Sequence, residues 1–244
     1  MTYCLAMALN DGLVLAADSR TNAGVDHIST FRKMRIWRRE GERVLVLLSA
    51  GNLAITQAVI GSLENGIQAE DPDASLMIVE SAGQAARLVG DAVRKAWRRD
   101  AAALKEAGVE FNISLILGGQ IKGDAPRLFL VYAAGNFIEA TPETPYFQIG
   151  ETKYGKPILD RVITPATDLD SAAKCALLSL DSTFRSNMTV GPPIDLLVYR
   201  RDSFSIAAHQ LIQDDDPYFN DIRTRWGQGL KDLFQVLPDP PWET

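Results

Sequence analysis

Thr2 stands directly behind the first methionine, where its hydroxyl could become a nucleophile. Methionine aminopeptidase removes an initiator methionine when the next residue is small, so we expect processing to expose Thr2 as the N-terminal residue. A free α-amino group titrates near ~7.7–8.0 and can take a proton from an adjacent hydroxyl at neutral pH. The alternative is that Thr2 is only a small residue at the start of a strand, where threonine is common. The first nine residues taken alone favour this second interpretation.

The elements that must position this residue are strand hairpins followed by helices. Two apolar runs flank the turn NDG (10–12) and two more flank EGE (40–42), which predicts two β-hairpins. Helical spacing covers 52–66, and an alanine-rich amphipathic stretch at 75–107 predicts one long helix or two closely joined ones. Later elements are predicted, in order, as strands in NISLILGGQ, RLFLVYAAG and NFIEAT, helices from about Ile158 and near Asp168, and strands in IDLLVYRR and SFSIAAHQLI.

Strands and helices come in blocks, which argues against alternating β-α units and for antiparallel sheets with helices on their outer faces. An almost fully apolar strand such as VLVLLSA should be buried on both faces. The sequence therefore predicts an α+β fold, a four-layer αββα sandwich with two stacked sheets between two helical layers. We place this domain at residues 2–210 and a C-terminal helical extension at 211–244. The extension could pack on its own domain or on a neighbouring subunit, and its aromatic residues favour the neighbouring subunit.

Composition narrows the function classes. The 244 residues are 46% hydrophobic and 23% charged, which is ordinary globular usage. No apolar run approaches the ~20 residues of a membrane helix and no signal peptide is recognisable, so we expect a cytoplasmic protein without membrane contact. Cys4 and Cys175 do not suggest a disulfide framework, and His27 and His209 lack the cysteine pair of a zinc site. We therefore expect no metal and no other cofactor.

The charge distribution argues against nucleic acid as a partner. The net charge is −6, although residues 31–43 (FRKMRIWRREGER) contain six basic residues. We interpret this segment as a strand and turn with outward basic residues, and with Met34, Ile36 and Trp37 packed inward. Lys33 is the exception.

Several features occur together at family-specific spacing. They are Thr2, the turn NDG, the run LVLAADSR with Asp18 and Arg20, Gly24, Lys33-Met34, and an apolar strand closing on Ala50-Gly51. This pattern resembles that of proteasome β-subunits and their bacterial relative HslV. LILGGQ followed by PRLFLVYAAGNF is similar to a later strand pair of that family, so the resemblance spans residues 2–210. Within the family, the N-terminal string and the extended tail look most like Anbu, a group described as an ancestral bacterial β-subunit.

The resemblance implies roles for individual residues. Thr2 matches the nucleophile, whose own amine is the general base directly or through a water. Lys33 matches the cation that lowers the proton affinity of the nucleophile, and Asp18 matches the carboxylate that holds this lysine. Gly51 matches the residue whose backbone N–H faces the developing oxyanion.

The resemblance also implies substrate-binding residues, namely Arg20, Thr21 and Ser49. Ser49 matches a residue lining the pocket for the substrate residue before the cleaved bond. Its small side chain leaves room for a bulky substrate side chain unless a neighbouring subunit closes the space.

The sequence departs from the family pattern in the residues that support the threonine amine. Proteasome members carry Gly-Ser-Gly where this chain has residues 150–152 (GET), so either Glu151 substitutes for the serine or that support is missing. Asp181 matches a second catalytic aspartate, but the serine expected three residues later is replaced by Phe184. Ser182 and Ser186 are the alternatives for that serine.

Together these features predict a threonine-type peptidase, an N-terminal nucleophile hydrolase that cleaves peptide amides through an acyl-enzyme ester on Thr2. One alternative is a catalytically inert, proteasome-like assembly protein, and another is an amidase acting on small amides. The resemblance further implies a homo-oligomer, as a ring or an open helical assembly, with peptide or unfolded protein as substrate. Neither an ATPase partner nor the physiological substrate can be read from the sequence.

Overall fold

A computed structural model describes residues 1–22, 28–68 and 75–242. Its strands are β1 (Tyr3–Leu9), β2 (Gly12–Asp18), β3 (Arg20–Asn22), β4 (Ile28–Thr30), β5 (Met34–Arg39), β6 (Arg43–Gly51), β7 (Ile113–Ile121), β8 (Arg127–Val131), β9 (Phe137–Glu139), β10 (Tyr146–Gly150), β11 (Ile194–Arg200) and β12 (Ile206–Ile212). Its helices are α1 (Leu53–Gln68), α2 (Ala82–Glu106), α3 (Lys156–Val162), α4 (Leu169–Ser186) and α5 (Pro217–Val236).

Two antiparallel sheets form the centre of the molecule. One has the strand order β10-β1-β2-β11-β12 and the other the order β5-β6-β7-β8-β9, while β3 and β4 pair separately as a short ribbon. Both predicted hairpins are confirmed: β1 pairs with β2 across the NDG turn, and β5 pairs with β6 across the EGE turn. The two sheets follow directly from these hairpins, because each hairpin starts a different sheet.

The apolar residues form three layers of core. The inter-sheet core includes Leu15, Val46 and Ile116. Helices α1 and α2 pack on the outer face of the β5–β9 sheet, and α3 to α5 contribute to the core on the outer face of the other sheet. The chain is therefore the four-layer αββα sandwich that the sequence predicts.

Polar side chains fix where the long helices begin. Asn52, Ser81 and Asp168 each accept a backbone N–H from the first turn of α1, α2 and α4, which satisfies a donor that the helix leaves unpaired. The stretch 75–107 contains one long helix, which is one of the two predicted alternatives. This helix, α2, starts only at Ala82, because Ser81 caps it there.

The basic segment 31–43 agrees only in part with the prediction that its basic side chains point outward. Met34 and Trp37 are buried as predicted, on opposite faces of the strand. Arg43, however, is not an outward residue: it is 6% exposed and donates to the carbonyl oxygens of Leu76 and Val79. Its guanidinium therefore ties the segment before α2 to the start of β6.

The C-terminal helix α5 is attached to the domain at its first turns. Phe219 is fully buried in the outer core, and Asp216 caps the helix through the backbone N–H of Phe219. Farther along, Leu233, Phe234 and Val236 are exposed. Among the helices of the described residues, none combines the length and the apolarity needed to cross a bilayer.

Candidate active site

The beginning of the chain is held at one end of the β10-β1-β2 sheet. The carbonyl oxygen of Thr2 accepts a hydrogen bond of 2.7 Å from the backbone N–H of Glu151. The backbone N–H of Tyr3 donates to Asp18 Oδ1 at 2.9 Å. Gly150 has φ +83°, and a Cβ there would lie 2.0 Å from the Thr2 carbonyl oxygen. Glycine thus permits the close approach of β10 that fixes Thr2.

A buried ion pair lies beside this strand start. Lys33 Nζ is 2.6 Å from Asp18 Oδ1, with side-chain exposures of 5% and 0%, and it also donates to the Arg20 carbonyl oxygen at 2.6 Å. The other carboxylate oxygen of Asp18 accepts from the backbone N–H of Gly191 at 3.4 Å. Burial raises the pKa of the Asp18 carboxyl, and the Lys33 ammonium and the backbone donors act in the opposite direction. The ammonium therefore has a charged partner and a carbonyl acceptor in a site with little water.

Gly51 ends β6 on the other side of the site. It has φ +113°, and a Cβ there would lie 2.4 Å from the carbonyl oxygen of Asn112. That same Asn112 oxygen accepts a 2.8 Å hydrogen bond from the backbone N–H of Asn52. Neither the backbone conformation nor the space admits another residue type at position 51 without displacement of the β6–β7 pair.

These residues border a common cavity of about 590 Å³. Thr2, Lys33, Ser49 and Gly51 are among the residues that line it. A cavity of this size accepts a peptide side chain together with part of its backbone. The structure thus brings together Thr2, Lys33 and Gly51, with Asp18 directly behind the lysine.

The three predicted substrate-binding residues lie in different settings. Ser49 lines the cavity, and its hydroxyl donates to the Lys33 carbonyl oxygen at 3.3 Å. The guanidinium of Arg20 donates instead to the carbonyl oxygen of Met188 at 2.8 Å. Thr21 belongs to β3, but its side chain and Gly24 lie outside the described residues.

Helix α4 carries Asp181, the aspartate predicted to support the threonine amine, and the alternative serines Ser182 and Ser186. Asp181 is buried and pairs with Arg185 one turn along the helix, at 2.9 Å. Within the described ranges, no hydrogen bond joins Asp181 or Ser182 to Thr2, and Ser186 is exposed at the end of the helix.

Glu151 and Asn187 occupy the neighbourhood of the N-terminus. The Glu151 carboxylate is buried and accepts a 3.0 Å hydrogen bond from Asn187 Nδ2. The pKa of the Met1 amine lies below its ordinary value because burial disfavours the charged form and Lys33 adds repulsion, while the carboxylates of Asp18 and Glu151 act in the opposite direction. Sequence reasoning missed Asn187, since an asparagine just after a predicted helix is normally interpreted as an end signal.

Across residues 1–22, 28–68 and 75–242, no three His, Cys, Asp or Glu side chains lie together as a metal site requires. Cys4 and Cys175 are buried, and neither forms a disulfide.

Comparison with protein-family models and with curated proteins gives no match, whereas solved structures match over the full chain. The Anbu (ancestral β-subunit) protein from Yersinia bercovieri is 52% identical, with 100% of both chains covered and a TM-score of 0.92. Anbu from Hyphomicrobium sp. strain MC1 is 49% identical over 99% of this chain and 100% of that chain, with a TM-score of 0.92. The Anbu complex from Pseudomonas aeruginosa, a helical assembly, is 50% identical over 98% of each chain, with a TM-score of 0.93.

By this αββα sandwich and its match to an ancestral β-subunit, the chain is a proteasome-like β-subunit. At about half identity over its whole length, the chain belongs to the Anbu family within that class.

Proposed function

We propose that the protein is a threonine-type peptidase whose nucleophile is Thr2 after removal of Met1. The observation that carries this proposal is the buried Lys33–Asp18 pair at a cavity that Thr2 also lines. A fixed ammonium next to a hydroxyl stabilises the alkoxide that forms when the hydroxyl loses its proton. A buried ammonium without a counter-charge is strongly unfavourable, and the Asp18 carboxylate supplies that counter-charge.

The proposed reaction proceeds in two halves. The free amine of processed Thr2 takes the proton from its own Oγ1, and Oγ1 bonds to the carbonyl carbon of the substrate amide. The oxyanion that develops points to the backbone N–H of Gly51, and collapse breaks the C–N bond while the proton passes to the leaving amine. In the second half, the same amine takes a proton from a water, and the water oxygen bonds to the ester carbonyl carbon. The C–Oγ1 bond then breaks, the amine gives its proton to Oγ1, and the acid product leaves, which restores Thr2.

An inert assembly protein is the second candidate. Met1 lines the cavity, and with Met1 attached the nitrogen of Thr2 is an amide that cannot act as a base. A chain that retains Met1 is therefore inactive by this mechanism. An amidase on small amides is the third candidate, because the cavity has room for them as well as for a peptide side chain.

Intact mass spectrometry tests the proposal directly. The purified protein is weighed to identify its first residue, then weighed again after incubation with a β-lactone, which acylates the nucleophile. We expect loss of Met1 and one adduct on Thr2. Thr2→Ser should retain labelling because it keeps a hydroxyl beside the amine, whereas Thr2→Ala should lose it. A processed wild-type chain that gains no mass would refute the peptidase and the amidase together, and turnover of peptides against simple amides separates these two.

We further propose that the protein forms a homo-oligomer through α5. The exposed apolar residues Leu233 and Phe234 lie on its distal part, and the related Anbu complex from Pseudomonas aeruginosa is a helical assembly. Leu233→Asp combined with Phe234→Asp should reduce the particle mass measured by light scattering. Ile138→Asp, which alters an exposed apolar residue on β9, is the control and should leave the particle mass unchanged. An unchanged mass in the α5 variant would exclude α5 as the contact.

A further inference from the structure

A buried carboxylate with no role in the reaction steps proposed above lies at the point where the chain begins. Glu151 is 7% exposed, and its backbone N–H binds the Thr2 carbonyl oxygen at 2.7 Å. That hydrogen bond sets the distance between the Glu151 and Thr2 backbones, with or without Met1. The carboxylate of Glu151 therefore belongs to the surroundings of the amine that processing would create on Thr2.

Asn187 holds this carboxylate in a defined orientation. Its Oδ1 accepts from the backbone N–H of Thr189 at 3.0 Å and from the Thr189 hydroxyl at 2.6 Å. Because a backbone N–H can only donate, the oxygen of the asparagine amide must face Thr189, and the nitrogen must face Glu151. Asn187 Nδ2 donates to Glu151 Oε2 at 3.0 Å and lies 3.9 Å from Met1 Sδ. The amide is thus fixed at both ends, beside the first residue of the chain.

Among the described residues, one charged side chain contacts Glu151. Lys153 Nζ lies 3.6 Å from Glu151 Oε1, but its side chain is 71% exposed, so water screens this pair. Glu151 also acts electrostatically on the N-terminal amine, where it offsets part of the repulsion from Lys33. A buried carboxylate needs a cation or several donors, and the described contacts give it one amide donor and one exposed lysine.

We propose that Glu151, oriented by Asn187, is the positioning residue for the terminal amine of processed Thr2 and holds that amine toward the threonine hydroxyl. This inference rests on the proposed threonine chemistry. In each half-reaction the amine becomes an ammonium when it takes the proton from Oγ1 or from water. The Glu151 carboxylate accepts a hydrogen bond from this ammonium without taking its proton, which goes to the leaving amine in the first half-reaction and to Oγ1 in the second.

A negative charge at position 151 changes the pH dependence of the proposed reaction. A carboxylate beside the amine favours the protonated amine, so it raises the pKa of the base. Since only the neutral amine can accept a proton, the acidic limb of the rate profile lies at higher pH with Glu151 present than without it. A residue that only supports the fold would change the rate at all pH values without moving this limb.

The test measures the rate of β-lactone acylation by intact mass as a function of pH, on full-length processed protein. Glu151→Gln keeps the size of the side chain and an oxygen that can accept from Asn187, but removes the charge. We expect its acidic limb to move to lower pH and its plateau rate to fall about tenfold. This is smaller than the roughly 100- to 10,000-fold contribution of a general base, because the variant keeps the amine and loses only its positioning. Glu110→Gln, which neutralises an exposed glutamate outside the site, should match the wild type.

Asn187→Ala provides the second, independent variant. Loss of the amide leaves the carboxylate in place but free to turn, so we expect a lower plateau with a smaller movement of the limb. Glu151→Asp keeps the charge, so its acidic limb should lie closer in pH to that of the wild type than to that of Glu151→Gln. If the wild type is labelled normally and the acidic limb of Glu151→Gln does not move, this inference is wrong and the proposed function still stands. Wild type that does not label would instead overturn the proposed function.

Discussion

Replacement of Gly51 by alanine, compared with a matched glycine replacement, separates the strain of a backbone conformation from the loss of the proposed oxyanion donor. Gly51 has φ +113°, and an added Cβ would lie 2.4 Å from the Asn112 carbonyl oxygen and 2.9 Å from the Ile113 Cα. Contacts this short with backbone atoms cannot be relieved by a side-chain rotation, so the end of β6 must move away from β7. Gly41→Ala is the matched control, because Gly41 has φ +72° with no atom within 4 Å of an added Cβ.

The two variants share one energetic cost and differ in another. A non-glycine residue at positive φ costs about 1–3 kcal/mol, which applies to both positions. Gly51→Ala also displaces the end of β6. This displacement moves the backbone N–H that is proposed to face the oxyanion. Loss of one such donor lowers the rate about 100- to 1,000-fold, equivalent to about 3–4 kcal/mol of transition-state stabilisation.

The assay pairs urea denaturation with the rate of β-lactone acylation. We expect Gly41→Ala to lose stability and keep the wild-type rate, and Gly51→Ala to lose more stability and to lose labelling by the factor above while still folded. If Gly51→Ala remains folded and acylates at the rate of Gly41→Ala, the N–H of Gly51 is not the oxyanion donor. If both variants are as stable as the wild type, the strain attributed to these two conformations is wrong.

Three further outcomes follow from buried groups. Asp18→Asn leaves the Lys33 ammonium without its partner and should cost about 3–5 kcal/mol in urea denaturation, most of it recovered by adding Lys33→Met; a loss below about 1 kcal/mol would mean that the pair is solvated. Burial raises the pKa of the Cys175 thiol to about 11 from its ordinary value of 9.0, so the unfolded chain ionises first, and the stability from this thiol is complete below pH 9.0 and lost as pH rises through about 11. Cys175→Ala should flatten that decline, and an equally steep decline in the variant would exclude the thiol as its cause. The hydroxyl of Ser19 is buried without a hydrogen-bond partner among the described residues, so Ser19→Ala should gain about 1 kcal/mol, whereas a loss would reveal a partner.

Local sequence signals were enough to predict the hairpins and most helix starts. The NDG and EGE turns predict their hairpins because glycine at the turn and apolar runs on both sides are local features. Asp168 likewise predicts the start of α4 because its carboxylate needs only a backbone N–H three residues away. Such elements depend on contacts between near neighbours in the chain, which periodicity and capping residues encode directly.

Strand β10 was not predicted because it depends on distant pairing. Its five residues follow Pro145 and alternate between partly buried and buried positions, a weak pattern over so short a length. Its role comes from β1, with Tyr3 opposite Gly150 and Cys4 opposite Ile149. For the same reason, sequence reasoning could name Glu151 as an open question but not its contact with Asn187, which lies on the far side of α3 and α4 in the chain.

The candidate site is assembled in two steps, only the first of which is local. In an antiparallel hairpin, the start of the first strand and the end of the second lie at the same edge of the sheet. The β1–β2 hairpin therefore brings Thr2 close to Asp18, and the β5–β6 hairpin brings Lys33 close to Gly51. Each hairpin supplies half of the site, with the carboxylate in one sheet and the ammonium in the other. The 2.6 Å contact between Lys33 and Asp18 forms only when the two sheets stack in this register, so any change in the inter-sheet core that shifts one sheet along the other must also separate Thr2 and Asp18 from Lys33.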